Sequence, residues 1–373
     1  MLDHSNTASL KKGPLSGIRI VEFAGLGPGP FACMLLADMG ADIVRIDRPG
    51  ARPIHPHDLI GRGRRTVQLD LKNAGDRDRA LQMLAHADAL VEGFRPGVME
   101  RLGLGPQAVA ALNPRLVYGR MTGWGQDGPL AQTAGHDINY IAVTGALAAI
   151  GERDGGPVPP LNLVGDYGGG SLFLVMGILA ALLEARSSGA GQVVDAAICD
   201  GALSLMSLAQ GHRFRGLHSE RRGDNMLDGG APYYATYRTA DGEYVCIGAI
   251  EPQFFALLCE RIGVDPALRD AQHDRTRWPA LRAELARIFL QRNRAAWTDL
   301  LAQTDACFAP VLALSEAEQH PHLLAREAFV DVGGVPCPAP APRFSRTPSA
   351  LARTDTSGPL TCEQVISGWL ATA

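Results

Sequence analysis

Near the start of the chain a strand, a glycine-rich turn, a helix and a second strand follow in immediate succession, and few folds accept that order. Residues 18–23 (Ile-Arg-Ile-Val-Glu-Phe) read as the strand and residues 24–30 (Ala-Gly-Leu-Gly-Pro-Gly-Pro) as the turn. A helix is expected over 31–39, with Pro30 suited to its first position and Gly40 to its stop. A second strand is expected over 42–46, which completes a βαβ unit. The alternation continues with a helix over 76–86, a strand over 89–92, a helix over 106–112 and strands over 116–121 and 193–198. Such a pattern predicts an α/β fold, a parallel sheet covered by helices on both faces.

The first turn invites comparison with a dinucleotide site. Glycines stand at 25, 27 and 29, and Asp47 falls about where a ribose-binding acid would. The spacing is not Gly-x-Gly-x-x-Gly, and Pro28 and Pro30 remove two backbone donors that a pyrophosphate would need. We read the stretch as a tight turn that caps a helix. Arg45 and Arg48 beside Asp47 point instead to a phosphate landing after the second strand. The basic loop Gly61-Arg-Gly-Arg-Arg65 reads either as a solvated surface run or as a phosphate site built on forked guanidinium contacts. Residues 93–97 (Gly-Phe-Arg-Pro-Gly) leave a strand at its carboxyl end, where open α/β sheets bind ligands.

Two polar positions in glycine-rich surroundings stand out. His136 lies in Gly135-His-Asp-Ile-Asn-Tyr140, and Asp166 lies in Asn162-Leu-Val-Gly-Asp-Tyr-Gly-Gly-Gly170. An apolar helix is expected over 171–186, with Gly168, Gly169 and Gly170 at its start. Asp166 would then sit just before a helix N-terminus, where the helix dipole favours a carboxylate. It is either a functional acid or a helix cap at one remove. A histidine and an acid so placed can exchange a proton at a carbon next to a carbonyl, one per face. From spacing alone, a structural histidine is the better reading of His136. Metal chemistry is not expected: the pairs His55/His57 and His320/His322 lack ligand spacing and an adjoining cysteine set. No Gly-x-Ser-x-Gly elbow points to a serine hydrolase.

Composition bounds the rest. A net charge of −4 gives no reason to expect nucleic acid or an anionic membrane as partner. The seven cysteines form no Cys-x-x-Cys pair, which suggests free thiols in a reducing compartment. Residues 1–12 lack the apolar core of a signal peptide. The apolar run 172–183 falls short of the roughly 20 residues of a bilayer span. The final residues carry no peroxisomal address, so a cytoplasmic location is expected. After a helix over 199–210, the polar, arginine-rich stretch 212–230 reads as a connector. A β-hairpin follows over 233–238 and 243–248 with Asp241-Gly242 at its turn, then helices over 251–262, 278–290 and 295–303. The expected organisation is a large domain over 13–211, a connector over 212–230, a small α+β domain over 231–325 and a return segment over 326–373.

Several long motifs resemble the family III CoA-transferase superfamily. They include Pro14-Leu-Ser-Gly-Ile-Arg-Ile-Val-Glu22, Leu36-Ala-Asp-Met-Gly-Ala-Asp-Ile-Val-Arg-Ile-Asp47 and Glu92-Gly-Phe-Arg-Pro-Gly97. Gly123-Trp-Gly-Gln-Asp-Gly-Pro129, the stretches around His136 and Asp166, and Gly248-Ala-Ile-Glu-Pro-Gln-Phe254 resemble its α-methylacyl-CoA racemase branch. The resemblance implies an interlocked homodimer of subunits with a Rossmann-like large domain and a small domain, acting on 2-methyl-branched acyl-CoA thioesters. It implies His136 and Asp166 as the acid/base pair and Glu251 as the acid that orients the histidine. CoA, part of the substrate and not a separate cofactor, would meet Arg48, Leu69, Asp70, Leu71 and Lys72. It would also meet Gly93, Phe94, Arg95, Arg101 and Gly135, and the run Asp137, Ile138, Asn139 and Tyr140. A second chemistry of the superfamily is CoA transfer between carboxylic acids, in which Asp166 would form a mixed anhydride. A base at His136 favours the racemase.

Overall fold

The structure, a computed structural model, describes residues 13–55, 57–351 and 358–371. The N-terminal stretch 1–12 and the last two residues, which enter the targeting expectation, lie outside the described residues. The βαβ unit is formed by β1 (Arg19–Phe23), α1 (Pro28–Asp38) and β2 (Asp42–Asp47). Helix α1 starts earlier than expected, because a first-turn amide has no intrahelical acceptor and Pro28 loses nothing there. Then follow β3 (Arg64–Gln68), α2 (Ala74–Leu84), β4 (Ala89–Glu92), α3 (Val98–Arg101), α4 (Pro106–Leu112) and β5 (Val117–Thr122). After α5 (Asp137–Val143) and the short α6 (Ala146–Ala149), α7 (Leu172–Ser188) leads into β6 (Val193–Ala197).

These six strands are all parallel, in the order β3-β2-β1-β4-β5-β6. This is a Rossmann-type order, reversing between β1 and β4. Neighbouring residues on each strand feed opposite cores. Ile20, Ile43, Val91 and Val117 face one cluster with α1 and α7; Val21, Val44, Leu90 and Tyr118 face the other with α2. Burial on both faces is why these strands read as continuous apolar runs.

The basic loop is neither solvated nor open to phosphate. Arg62 is buried and grips Asp38 through Nε and Nη2 at 3.0 and 2.5 Å. Arg64 is 1% exposed and donates to Glu22 at 2.9 Å, while Arg65 pairs with Asp42. Three guanidinium groups tie β3 and its approach to α1, β1 and β2. Arg45 is likewise taken up by Asp47, at 2.8 Å.

The chain forms two compact units. The first holds the sheet and contains residues up to Thr144, Leu161–Leu205 and the chain from Glu327 on; the second contains Gly145–Pro160 and Met206–Arg326. Helix α8 (Ile198–Leu205) closes the first stretch, and α9 (Ser207–Phe214) opens the second where a single helix was expected. In the second unit, β7 (Tyr234–Arg238) and β8 (Tyr244–Gly248) make the hairpin, with Gly242 at φ 85° in its turn. Helix α10 (Pro252–Ile262), α11 (Trp278–Phe289) and α12 (Arg294–Leu301) follow, then β9 (Phe308–Pro310), which adds a third, antiparallel strand beside β8. The core of this unit gathers Val245, Phe255, Leu285, Phe289 and Trp297. The stretch expected as a connector is ordered: Asn225 bonds Ser219 in both directions, at 2.8 and 3.0 Å, and its side-chain amide donates to Asp228 at 2.8 Å. After α13 (Leu314–Ala317) and α14 (Pro321–Ala325), the hairpin β10 (Phe329–Val332) and β11 (Val335–Pro338) lies in the first unit. The last helix, α15 (Cys362–Ala371), seats Trp369 in the core beside α2 and bonds Asp42 at 2.8 Å.

All seven cysteines are free, and Cys33, Cys259, Cys337 and Cys362 are buried.

Candidate active site

A cavity of ≈ 570 Å³ opens at the carboxyl ends of β1, β4 and β5, where the strand order reverses. Ligands of open α/β sheets bind at this place for a geometric reason: loops leaving strands of opposite progression diverge and leave a crevice. The glycine-rich turn after β1 forms one wall, Gly93, Phe94 and Arg95 a second, and Gly135, His136 and Tyr140 a third. Asp166 completes the lining.

Asp166 does not precede a helix start. Residues Leu163–Ser171 form a π-helical turn that runs directly into α7, and Asp166 lies in its first turn. The amides of Gly168, Gly169 and Gly170 fall within this helix and are not open donors. The three glycines serve packing instead. A Cβ on Gly169 would stand 2.6 Å from the Ala202 amide nitrogen of α8, and one on Gly201 would stand 1.9 Å from the Gly169 carbonyl oxygen. Widened turns of this kind break regular helical hydrogen bonding and recur at functional sites.

The carboxyl of Asp166 is held on several sides. Its backbone N–H donates to Asp137 Oδ2 at 2.6 Å, and Asn162 hydrogen-bonds its side chain. Burial, and then the Asp137 carboxylate, push its pKa above the usual carboxylate range, against Asn162 and His136, which pull it down. Room for the carboxyl comes from Gly27, at φ 67°, whose Cβ would touch Asp166 Oδ2 at 3.2 Å. The turn that resembled a nucleotide loop is thus shaped around an acid. Gly165 is equally constrained, since its Cβ would meet Asp137 Oδ2 at 2.4 Å.

His136 is the N-cap residue of α5, in extended conformation, and its N–H donates to Asn139 Oδ1 at 3.0 Å. Its exposed ring shares the cavity with Asp166. Behind it Trp124 and Tyr140 meet edge to face at 4.8 Å. Trp124 Nε1 donates to the Thr133 carbonyl at 3.1 Å, and the Tyr140 hydroxyl donates to the Gly135 carbonyl. These bonds pin the long loop that carries the histidine.

The expected CoA contacts divide into two sets. Gly93, Phe94, Arg95, Gly135 and Tyr140 line the cavity. Arg48 and Lys72 are exposed just beyond β2 and β3, on the same edge of the sheet, with Asp70 and Leu71 between. Arg101 is exposed at the end of α3, and Ile138 and Asn139 are exposed on α5. Leu69 and Asp137 turn inward: Leu69 sits in the core, and Asp137 lies beneath the Asp166 turn. Glu251 belongs to the second unit, where it is exposed at the N-cap of α10. Two buried carboxylates of the cavity, Glu22 and Glu92, were not among the expected site residues. Glu92, the last residue of β4, is 3% exposed. The signal was a carboxylate where an apolar strand meets the sheet's ligand edge. Among the described residues no cluster of His, Cys, Asp or Glu is arranged to hold a metal ion.

Known proteins resemble the chain in sequence and in fold. An α-methylacyl-CoA racemase of Mus musculus is 45% identical over 336 residues, covering 90% of this chain and 87% of that protein. One of Homo sapiens is 43% identical over 340 residues, with the same coverage of 90% and 87%. The crystal structure of a CAIB/BAIF family protein from Brucella suis shares the fold, with a TM-score of 0.82 at 24% identity over 96% of this chain and 100% of that one. The profile of CoA-transferase family III matches residues 15–358, and the chain belongs to that family.

Proposed function

We propose that the chain is an isomerase that interconverts the R and S forms of 2-methyl-branched acyl-CoA thioesters by two-base proton transfer through an enolate. The observation that carries this reading is the pairing of His136 and Asp166 in one cavity at the switch point of the sheet. The similarity to two α-methylacyl-CoA racemases supports it. For one epimer the His136 imidazole takes the α-proton and becomes imidazolium, and the electron pair moves onto the thioester oxygen. Asp166, protonated beforehand, returns its own proton to the opposite face of the carbon and is left as carboxylate. For the other epimer the roles exchange. A carboxyl held above its usual range suits this task, because a donor works best when its pKa lies near the working pH. With the glycine amides taken up by the π-turn, the N–H groups of Asp137 and Ile138 at the start of α5, directly after His136, would serve the enolate oxygen. Arg48, Lys72, Arg95 and Arg101 would meet the nucleotide phosphates, and Glu251 would orient His136.

We also propose a homodimer. On α7, Leu172, Met176 and Leu183 share one face and are 52%, 58% and 71% exposed, an apolar stripe that a second copy would cover. The helix Leu163–Ser188 is long and apolar enough to cross a membrane, yet Leu174, Ile178 and Ala181 pack onto the sheet as a core helix does.

The test is exchange of the α-hydrogen in deuterated buffer over a panel of 2-methylacyl-CoA thioesters. We expect exchange together with epimerisation, and a loss of both of about 10²–10⁴-fold in His136→Ala and Asp166→Asn. CoA transfer would instead proceed without exchange, and hydroxylamine would trap Asp166 as its hydroxamate.

A further inference from the structure

We propose that Glu92 is a positioning residue for CoA-ester binding: it fixes the loop of Gly93, Phe94 and Arg95 that walls the cavity. The inference rests on the racemase reading for the identity of the ligand. Glu92 Oε2 accepts the Phe94 N–H at 2.7 Å, and Oε1 stands 3.4 Å from Arg120 Nε on β5. Arg120 is itself buried and reaches Gln126 Oε1 at 2.7 Å and the Glu100 carboxylate of α3. The Gln126 N–H in turn donates to Asp195 Oδ2 of β6 at 3.1 Å. Through Arg120, and from it Gln126, Glu92 therefore links the loop after β4 to the loop after β5, to α3 and to β6. A strand end needs no such group for its fold. A buried carboxylate is costly unless its partners are well placed, and replacement by an apolar residue is often neutral or stabilising. What Glu92 supplies in return is the path of a cavity loop.

The same network makes the position sensitive to protons. Burial pushes the Glu92 carboxyl up to about 7; Phe94 N–H and Arg120 pull it down, and Glu100 and Asp195 push it further up. Tyr118 of β5 also faces it, and on the β1 side Glu22 is engaged by Arg64. The ionised form holds both Phe94 and Arg120. Protonation removes the ion pair and weakens the amide bond, so the loop loosens as pH falls through neutrality.

Binding of dephospho-CoA, measured calorimetrically between about pH 6 and about pH 8, tests this. That ligand lacks the phosphomonoester that titrates near 6 in CoA itself. In the wild type we expect affinity to fall by up to about tenfold at the lower pH. In Glu92→Gln we expect a clearly shallower profile and, at about pH 8, a KM for 2-methylacyl-CoA raised severalfold with kcat within about twofold. Glu92→Asp, which keeps the charge, should retain the pH dependence. A flat wild-type profile, or a Gln variant that follows the wild type, overturns the assignment and leaves the racemase reading standing. A wild type that binds neither CoA nor dephospho-CoA overturns both.

Discussion

Asp166 owes its chemistry to a neighbour that never enters the cavity. Asp137 is 8% exposed, bonds the Asp166 N–H and, through its charge, adds to the rise in the Asp166 pKa that burial begins. Asp137→Asn preserves an oxygen acceptor and removes the charge, so the Asp166 pKa should fall. In the direction in which Asp166 donates, the loss of kcat/KM with rising pH should then begin at lower pH than in the wild type. Rate profiles from each pure epimer check this, and an unshifted profile would separate Asp137 from catalysis. His136 and Asp166 were legible as chemistry because both are polar residues set among glycines. The role of Asp137 was not. Sequence places it beside His136, whereas its oxygen reaches a backbone amide 29 residues on, across a turn whose geometry the sequence does not announce. Arg62, Arg64 and Arg65 failed for a related reason: their acidic partners sit on α1, β1 and β2, so a charge run that read as either solvated or phosphate-binding is neutralised from a distance.

The meeting of the π-turn with α8 is the element on which the site depends, since it sets where Asp166 stands. Backbones touch there through Gly169 and Gly201, and a Cβ on Gly201 would lie 1.9 Å from a carbonyl oxygen. Gly201→Ala must therefore push α8 away or distort the turn. We expect a loss of about 1–3 kcal/mol in chemical denaturation, as for other overpacked sites. We also expect a kcat that falls more than the change in KM, because the acid moves while the CoA loops stay. By contrast Gly189, at φ 80° beyond α7 and with open space around it, should tolerate alanine with only a local backbone cost. The strands and the alternation that orders them were legible because burial on both faces leaves an unbroken apolar signature. The glycine run 168–170 reads as a helix breaker on propensity, and only the approach of a second helix turns it into a packing surface. The third strand of the small sheet, β9, is three residues long and carries no alternating pattern, which is why it was missed.

At the scale of the whole molecule, the raised carboxyl of Glu92 has a consequence for stability that is separate from binding. Its folded-state pKa is raised from 4.5 to about 7. The folded chain thus holds this proton more tightly than the unfolded chain does. The stabilisation that follows is complete below about pH 4.5, fades as the unfolded state ionises, and is gone once pH passes about 7. A shift of this size corresponds to about 3 kcal/mol, since each unit is worth about 1.4. Because Glu92 is almost fully buried, solvent screens little of it. Glu92→Gln has no proton to release, so its stability should escape this term. Asp166 and the other carboxylates contribute alike to both proteins and cancel in the difference. Urea unfolding of the two proteins from about pH 5 to about pH 8 should then show the wild type losing up to about 3 kcal/mol relative to the variant as pH rises. Parallel curves would mean that the Glu92 carboxyl ionises in the folded protein as it does in the unfolded chain. The pH-dependent hold on the cavity loop attributed to Glu92 would then fail with it.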